Sequence, residues 1–478
     1  MKIELYRPLD VETLARMAEG KLITCGVSDT AAVTHICTDS READGNTRFC
    51  AMRGERVDGH DYIPKASSLG CMAFLCERIP ADLPAVSYAA ILVEDTEAAL
   101  GRLAAAYRTE TLSSLPITAV TGSVGKTTTK EMLSAVLSSA RRVYKKEGNF
   151  NSTIGLPLSC LEISPAFEEA VLEMGMSGLG EIAAMTAAVR PDIALIANVG
   201  SSHLERLGTR ENIARAKLEI AEGLREGGVL LVNGDEPLLA DAEQAVTARD
   251  ARVLRLSLAG AANADFTVSR MSTRDGGMVF DLSTPCGEWT DLWVPAMGEH
   301  LVWAAAFAAA VGQLRGLDAG QVRRGLASYR PAAMRQNSLV IGGVTILEDC
   351  YNAAPESMGA ALKVLRMTPA ARRIAVLGDR KELGENTEAL HRAVGAEVVR
   401  QGVDALIAVG ELGRFIAAGA AQAGMPPEAI RAVDTQCYEE AATMLAEETK
   451  DGDCILFKAS RAMALEKMAE ALESKLKK

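Results

Sequence analysis

The stretch TGSVGKTTTKEM, residues 121–132, is the part of the sequence that most strongly indicates the fold. A Gly-x-x-Gly-Lys-Thr run between a strand and a helix is typical of a loop that binds nucleotide phosphates. The apolar run PITAV predicts the strand before it, and apolar side chains recur at helical spacing after Lys126. Backbone N–H groups at such a helix start face the anion, so Lys126 would reach the outer phosphates and the Thr127 hydroxyl would meet magnesium.

This loop departs from the commonest pattern at one position. Val120 stands where a first glycine is usual, which predicts a tighter start to the loop. The alternative is an ordinary glycine-bearing turn between strand and helix, with a solvated lysine. Because the strand, the glycines, the Lys-Thr pair and the helix all occur in order, we favour the phosphate loop. The loop alone names no reaction, since kinases, hydrolases and ligases all use it.

The composition is that of a globular protein with several domains. The chain has 478 residues, of which 48% are hydrophobic and 24% charged, and this length predicts about two to four domains. A net charge of −12 without a basic tract argues against nucleic acid as a partner. The ten cysteines include no Cys-x-x-Cys pair, so we expect buried apolar residues rather than a zinc or redox site.

No stretch of the sequence has the pattern of a targeting or membrane segment. The N-terminus, MKIELYRPLDVETLARM, lacks the apolar core of a secretory signal. The longest apolar runs, such as VWAAAFAAAVG, are too short to span a bilayer. We therefore expect a cytoplasmic protein without membrane insertion.

Short apolar runs that end in glycine or aspartate alternate with alanine-rich helical stretches. Examples are SLPITAVTG, DIALIANVG, RRIAVLGD and DALIAVG. This alternation predicts an α/β fold with parallel sheets covered by helices on both faces. Between two clusters of such runs, DFTVSRMSTRDGGMVFDLS predicts antiparallel strands. We expect a small N-terminal α/β domain over 1–92, a central doubly wound phosphate-loop domain over 93–330 and a Rossmann-like α/β domain over 331–478.

Three polar residues of the central region are candidates for metal chemistry. Glu173 ends the predicted strand in VLEMGMSG, and a strand's carboxyl end is where an α/β sheet presents a magnesium ligand. His203 follows the strand IALIANVG, where an ordinary surface histidine is the alternative. Lys217 lies on the predicted helix ENIARAKLEI. A lysine cation would repel magnesium, whereas a lysine carbamylated by carbon dioxide would be an anionic ligand; a solvated helix lysine is the alternative.

Several stretches together resemble the Mur ligases of bacterial cell-wall synthesis, whose phosphate loop commonly lacks the distal glycine. In the central region they are TGSVGKTTTKEM, GNFNSTIGLPLSCL, EMGMSGLGEI, PDIALIANVGSSHLERLGTRENIARAKLEI and VNGDEP. The stretches ILEDCYNAAPESMGAAL, VLGDRKELGENTEALHRAVG and LFKASRAMALEKM resemble the member of that family that adds a dipeptide. TDSREADGNTRFCAMRGERVDGHDYIPKASSLG is similar to the segment that binds the uridine nucleotide.

The resemblance implies an ATP-dependent amide ligase of peptidoglycan precursor synthesis. ATP would phosphorylate the terminal carboxylate of UDP-N-acetylmuramoyl-tripeptide, and the amine of D-alanyl-D-alanine would attack the acyl phosphate. Family precedent also implies a monomer. The third residue of the acceptor peptide, diaminopimelate or lysine, stays open.

The resemblance implies roles for individual residues, with Lys126, Glu173, His203 and Lys217 as the catalytic set. The implied ATP contacts are Gly122, Ser123, Val124, Gly125, Lys126, Thr127, Thr128, Asn149, Asn151, Arg335, Asp349 and Tyr351. The implied ligands of two magnesium ions are Thr127, Glu173, His203 and a carbamylated Lys217. The implied substrate contacts are Ser40 and Arg41 at the uridine nucleotide and Lys458, Ser460 and Arg461 on the dipeptide side.

The sequence departs from the family pattern at four positions. Leu301, Ala304 and Ala354 stand where asparagine is usual, and Ala459 stands where glycine is usual. These changes affect expected nucleotide and dipeptide contacts rather than the metal ligands. A sibling ligase that adds diaminopimelate or lysine to the UDP-dipeptide is the nearest alternative, followed by a folate polyglutamate synthase. A non-catalytic nucleotide-binding relative is an alternative of a different class.

Overall fold

The computed structural model describes residues 1–54, 56–81, 83, 87–247, 250–381 and 383–477. The described residues form three β-sheets, of six, nine and six strands in chain order. Most strand pairs are parallel and helices cover the sheets, which confirms the α/β prediction. Within these ranges, no helix combines the length and the apolar character needed to cross a membrane.

The first sheet has the strand order β1-β3-β4-β5-β6-β2. Its strands are β1 Lys2–Asp10, β2 Lys21–Cys25, β3 Ala32–Cys37, β4 Thr47–Cys50, β5 Ala73–Cys76 and β6 Tyr88–Leu92, with helices α1 Val11–Ala18 and α2 Ile63–Ser68. The inner four strands are parallel, and β1 and β2 close the sheet as antiparallel edges. Helix α3, Thr96–Glu110, then packs against α1 and joins this sheet to the next through one continuous apolar core.

The second sheet carries the phosphate loop and has the order β15-β14-β13-β12-β11-β10-β7-β9-β8. Its strands are β7 Ile117–Thr121, β8 Val143–Lys145, β9 Glu169–Glu173, β10 Ile193–Ile196, β11 Val229–Asn233, β12 Arg252–Ser257, β13 Phe266–Arg274, β14 Gly277–Thr284 and β15 Gly287–Val294. Its helices are α4 Lys126–Ser138, α5 Gly155–Leu161, α6 Glu181–Val189, α7 Leu204–Leu207, α8 Arg210–Leu218, α9 Glu243–Val246, α10 Glu299–Leu314 and α11 Ala319–Ala327.

Strands β7 to β13 of this sheet are parallel, whereas β14 and β15 are antiparallel additions. Neighbouring residues of β7 belong to different apolar cores, Ala119 to one and Val120 to the other, so both faces of the sheet are covered. All the parallel strands end at the same edge. The loop after β7, the last residue of β9 and the segment after β10 therefore meet there.

The third sheet has the order β16-β17-β21-β18-β19-β20 and is parallel except for β16. Its strands are β16 Asn337–Ile341, β17 Val344–Glu348, β18 Arg372–Gly378, β19 Ala405–Val409, β20 Ile430–Val433 and β21 Asp453–Lys458. Its helices are α12 Pro355–Met367, α13 Thr387–Arg400, α14 Gly413–Gln422, α15 Tyr438–Glu448 and α16 Glu466–Leu476. Helices α13 and α14 touch through their backbones: a β-carbon on Gly395 would lie 2.0 Å from the Ile416 carbonyl oxygen.

Candidate active site

The loop from residue 122 to 125 connects β7 directly to α4. Gly125 adopts a φ of +78°, the left-handed region that favours glycine, and the helix begins at the next residue. Lys126 Nζ donates a hydrogen bond to the Gly122 carbonyl oxygen at 2.8 Å, so the lysine side chain lies back across the loop. The strand, loop, lysine and helix start occur in the predicted order.

Asn198, in the segment after β10, holds this loop in place. Its Oδ1 accepts hydrogen bonds from the backbone N–H groups of Ser123 and Val124, both at 3.0 Å. Its Nδ2 donates to the Val124 carbonyl oxygen at 2.8 Å. Our sequence analysis gave Asn198 no role, although a polar residue at the end of a strand paired with β7 is a signal that could have identified it.

Thr127 and Glu173, two residues predicted to bind magnesium, contact each other beside the loop. Strands β7 and β9 are neighbours with Val120 opposite Glu173. The Thr127 hydroxyl donates to Glu173 Oε2 at 2.8 Å, and Asn151 Nδ2 donates to Oε1 at 2.7 Å. A hydroxyl and a carboxylate are hard oxygen ligands of the kind that magnesium takes together with substrate phosphates and water. The residues present therefore fit this ion.

The backbone around Asn151 positions its side chain. Gly175 donates its N–H to the Asn151 carbonyl oxygen at 2.7 Å, and the Asn151 N–H donates to the Asn149 carbonyl oxygen at 2.8 Å. Asn149 is itself exposed. Among the described residues, no three His, Cys, Asp or Glu side chains converge as a metal cluster.

Lys217 is buried near the loop, which excludes the solvated helix lysine. It lies in α8 and is only 2% exposed. Burial lowers the pKa of Lys217 well below its usual value, and the positive charge of Lys126 lowers it further. Burial therefore favours the neutral amine of Lys217, which is the nucleophilic form of a lysine.

His203 lies in the segment that follows β10, at the same edge of the sheet. Its φ of +63° is in the left-handed region, and its carbonyl oxygen accepts hydrogen bonds from Arg206 and Leu207 in the first turn of α7. Two residues before it, Ser201 donates its N–H to Glu356 Oε1 of α12 at 2.8 Å. This bond ties the third sheet's unit to the segment beside the phosphate loop, and our sequence analysis gave Glu356 no role.

Arg335, Asp349 and Tyr351 lie at the start of the C-terminal part, where it approaches the loop. The Arg335 guanidinium stacks 4.1 Å from the centre of the Tyr351 ring. Burial lowers the pKa of Lys126; the Arg335 charge lowers it further, and the Glu173 charge opposes both effects. The charge of Arg335 therefore acts on the lysine of the phosphate loop. Asp349 Oδ2 accepts a hydrogen bond from Lys458 Nζ at 2.5 Å.

The remaining predicted residues lie in two other places. Ser40 is buried in a turn of the first unit, and exposed Arg41 pairs with Asp39 at 2.6 Å, which holds the pKa of that carboxyl below its usual range. In the third unit, Ser460 is 4% exposed and its hydroxyl has no hydrogen-bond partner among the described residues. Arg461 pairs with Glu466 at 2.5 Å. The four departures from the family pattern, Leu301, Ala304, Ala354 and Ala459, are all buried.

A parallel sheet with a phosphate loop at its carboxyl edge defines the class of this protein as a nucleotide-binding α/β protein of the phosphate-loop type. Three family models match along the chain. They are the Mur ligase family catalytic domain over residues 32–108, the Mur ligase middle domain over 120–312 and the Mur ligase glutamate ligase domain over 334–461.

Full-length relatives agree with these matches. A UDP-N-acetylmuramoyl-tripeptide--D-alanyl-D-alanine ligase of Bacillus subtilis (strain 168) is 37% identical over 97% of this chain and 98% of its own. A MurF crystal structure from Acinetobacter baumannii has a TM-score of 0.87 at 29% identity and covers 99% of this chain and 100% of its own. MurF ligase from Thermotoga maritima in complex with ADP has a TM-score of 0.79 at 30% identity and covers 92% of this chain and 97% of its own. The chain belongs to the Mur ligase family.

Substitution of Asn198 tests whether it orders the phosphate loop. Asn198→Ala removes three hydrogen bonds to residues 123 and 124. At about 1 kcal/mol each, partly recovered by water, we expect the KM for ATP to rise about tenfold or more. Steady-state kinetics with varied ATP measures this. Exposed Asn386, which makes no side-chain cap bond, provides the control variant Asn386→Ala. An unchanged KM in Asn198→Ala would show that the loop does not need this residue.

Proposed function

We propose that this chain uses ATP to join D-alanyl-D-alanine to UDP-N-acetylmuramoyl-tripeptide by an amide bond. The observation that carries the proposal is the meeting of Lys126, Thr127 and Glu173 at one strand edge. The chain also matches, along almost its whole length, a relative whose name states this reaction. ATP use is supported by the ADP complex of a solved relative.

The chemistry follows from the charges that the site must bring together. The γ-phosphate of ATP and the tripeptide carboxylate are both anions, and Lys126 and Arg335 supply positive charge that lets them approach. A carboxylate oxygen attacks the γ-phosphorus and ADP leaves, which gives an acyl phosphate. The amine of D-alanyl-D-alanine then attacks the carbonyl carbon, loses a proton and expels phosphate. Magnesium, held by Thr127 and Glu173, would neutralise charge on the phosphate oxygens.

A second metal site would be built on a modified Lys217. A neutral amine adds to carbon dioxide, loses a proton and becomes an anionic carbamate. The burial of Lys217 and its lowered pKa support this modification, because they favour the neutral amine. The carbamate oxygens and His203 would hold the second magnesium. This assignment removes the conflict between a lysine cation and a metal site.

The three units would divide the substrates between them. Residues 1–92 would bind the uridine nucleotide through Ser40 and Arg41, and residues 93–330 would bind ATP, with Asn149 and Asn151 near its phosphates. Residues 331–478 would close over ATP with Arg335, Asp349 and Tyr351. On the dipeptide side, the unpartnered Ser460 hydroxyl beside Lys458 and Arg461 supports a polar ligand. We propose that the enzyme acts as a monomer in the cytoplasm, where ATP and UDP-linked precursors are available.

A direct assay tests the reaction. We expect phosphate release from ATP and magnesium only when UDP-N-acetylmuramoyl-tripeptide and D-alanyl-D-alanine are both present. Mass spectrometry should then show a product heavier than the UDP-tripeptide by the dipeptide minus water. Turnover instead with the UDP-dipeptide and a single amino acid would assign the sibling reaction. ATP binding without turnover on any acceptor would favour a non-catalytic relative, although Lys126, Thr127, Glu173, His203 and Lys217 are all retained.

A labelled carbamate tests the role of Lys217. With ¹³C-bicarbonate, we expect a carbamate carbon signal in the NMR spectrum of the wild-type protein and its loss in Lys217→Ala. Removal of this anion from the site should lower kcat by about 10²–10³-fold, the size expected for a lost electrostatic contact to the transition state. Lys363 on α12 is exposed, so Lys363→Ala should retain both the signal and the activity. Wild-type kcat in Lys217→Ala would contradict the assignment.

A further inference from the structure

A cavity lies at the edge of the central sheet that is opposite to the phosphate loop. It has a volume of about 350 Å³ and is lined by the first residues of three parallel strands, Ile193, Val229 and Arg252, and by the end of α10. Parallel strands of this length place their two ends about 13 Å apart. The cavity is therefore separate from the ATP site and has no part in the chemistry described above.

Among the described residues, three arginines line this cavity: Arg225, Arg252 and Arg315. Arg252 is exposed, and its side chain makes no hydrogen bond or ion pair with any described residue. Arg315 is 14% exposed and pairs with Glu169 at 3.0 Å. Its Nε is buried and has no hydrogen-bond partner within the described ranges. The guanidinium group of Arg252 is therefore left for a ligand.

The carboxylates around the cavity are already engaged by other groups. Asp192 accepts a backbone hydrogen bond from Ile117 at 2.7 Å and lies 3.4 Å from Arg225 and 3.7 Å from Arg108. Glu169, behind Arg315, is shared with Arg141 at 3.0 Å. Each of these two buried or half-buried carboxylates thus faces two guanidinium groups.

Glu226 is the one further acidic residue among the described residues of the lining, and it is exposed. Asp192 and Glu169 face four guanidinium groups between them, and Arg252 is a fifth. These five positive charges outnumber the three carboxylates, so the local charge is positive in a chain whose net charge is −12. A cavity of this kind attracts anions, because guanidinium groups donate paired hydrogen bonds to phosphate oxygens.

We propose that this cavity binds a small anion that bears phosphoryl groups. Its volume is in the range of small-molecule sites, and its arginines approach from the strand starts on one side and from α10 on the other. The anion would supply hydrogen-bond acceptors to the exposed guanidinium group of Arg252. Arg315 also bonds to Glu169 at the first residue of β9, and Glu173 at the last residue of β9 contacts Thr127. Through Arg315, the bound anion would thus be connected to the first residue of β9, and the last residue of β9 is the proposed metal ligand Glu173.

Calorimetric titration with inorganic pyrophosphate, and separately with ribose 5-phosphate, tests this site. Both titrations use the Lys126→Ala protein without magnesium, which weakens binding at the phosphate loop. We expect saturable binding of pyrophosphate at one site, weakened about tenfold by the added substitution Arg252→Ala. Arg225→Ala should weaken it less, because Arg225 lines the cavity but already pairs with Asp192. Arg324 is an exposed arginine elsewhere on the same unit, and Arg324→Ala should leave the affinity unchanged.

The ribose 5-phosphate titration identifies the source of the phosphoryl group. Binding of both anions with the same response to Arg252→Ala would assign a site for phosphorylated metabolites, and binding of pyrophosphate alone would assign an inorganic anion. Thermal unfolding of each variant confirms that it is folded. The proposal fails if neither anion saturates the protein below about 10 mM, or if Arg252→Ala and Arg225→Ala bind as tightly as Arg324→Ala.

Discussion

The hydrogen bond from the Thr127 hydroxyl to Glu173, at 2.8 Å, is the contact on which the proposed site depends. It joins the helix after one parallel strand to the last residue of the neighbouring strand. Its geometry follows from the register of β7 and β9, which sets Val120 opposite Glu173. A shift of one residue in that register would turn the carboxylate to the other face of the sheet. The metal chemistry that we propose therefore rests on strand pairing more than on any loop.

Two lysines, Lys126 and Lys217, lie near this contact, and their positive charges affect their pKa values. Lys217 is buried and Lys126 is half-buried. Desolvation lowers the pKa of both lysines; the Arg335 charge adds to the effect on Lys126, and the Lys126 charge adds to the effect on Lys217. Such an arrangement is unfavourable by itself and becomes favourable when phosphate anions enter. Lys126 stays available to meet that charge, whereas we propose that Lys217 carries a carbamate. Asn198 and Glu356 then fix the two segments that approach the loop from the sheet and from the C-terminal unit.

Local patterns were sufficient to predict much of this molecule. The strand PITAV, the loop and the helix from Lys126 were read from neighbouring residues, and Glu173 was placed at a strand end. The antiparallel strands after residue 265 were also expected, but their attachment to the central sheet was not. That attachment rests on two parallel residue pairs between β12 and β13.

Contacts between residues distant in sequence could not be predicted in this way. Asn198 follows a strand end, which is a local signal, but its bonds to backbone groups 74 and 75 residues earlier could not be inferred from that signal. The helix that carries Lys217, within ENIARAKLEI, mixes charged and apolar residues, so the burial of Lys217 itself was not evident from the sequence. The arginine-lined cavity is assembled from three strand starts and a helix end. This cavity can be recognised only once the strand order of the sheet is known.

In the mechanism that we propose, ATP activates the tripeptide carboxylate at the phosphate loop. The most direct measurement labels that terminal carboxylate with ¹⁸O and follows the label during turnover with D-alanyl-D-alanine. Attack of the carboxylate on the γ-phosphorus predicts one labelled oxygen in each phosphate released, because the acyl phosphate keeps its bridging oxygen with the leaving group. Label found in AMP, or phosphate released without label while the amide forms, would contradict this mechanism.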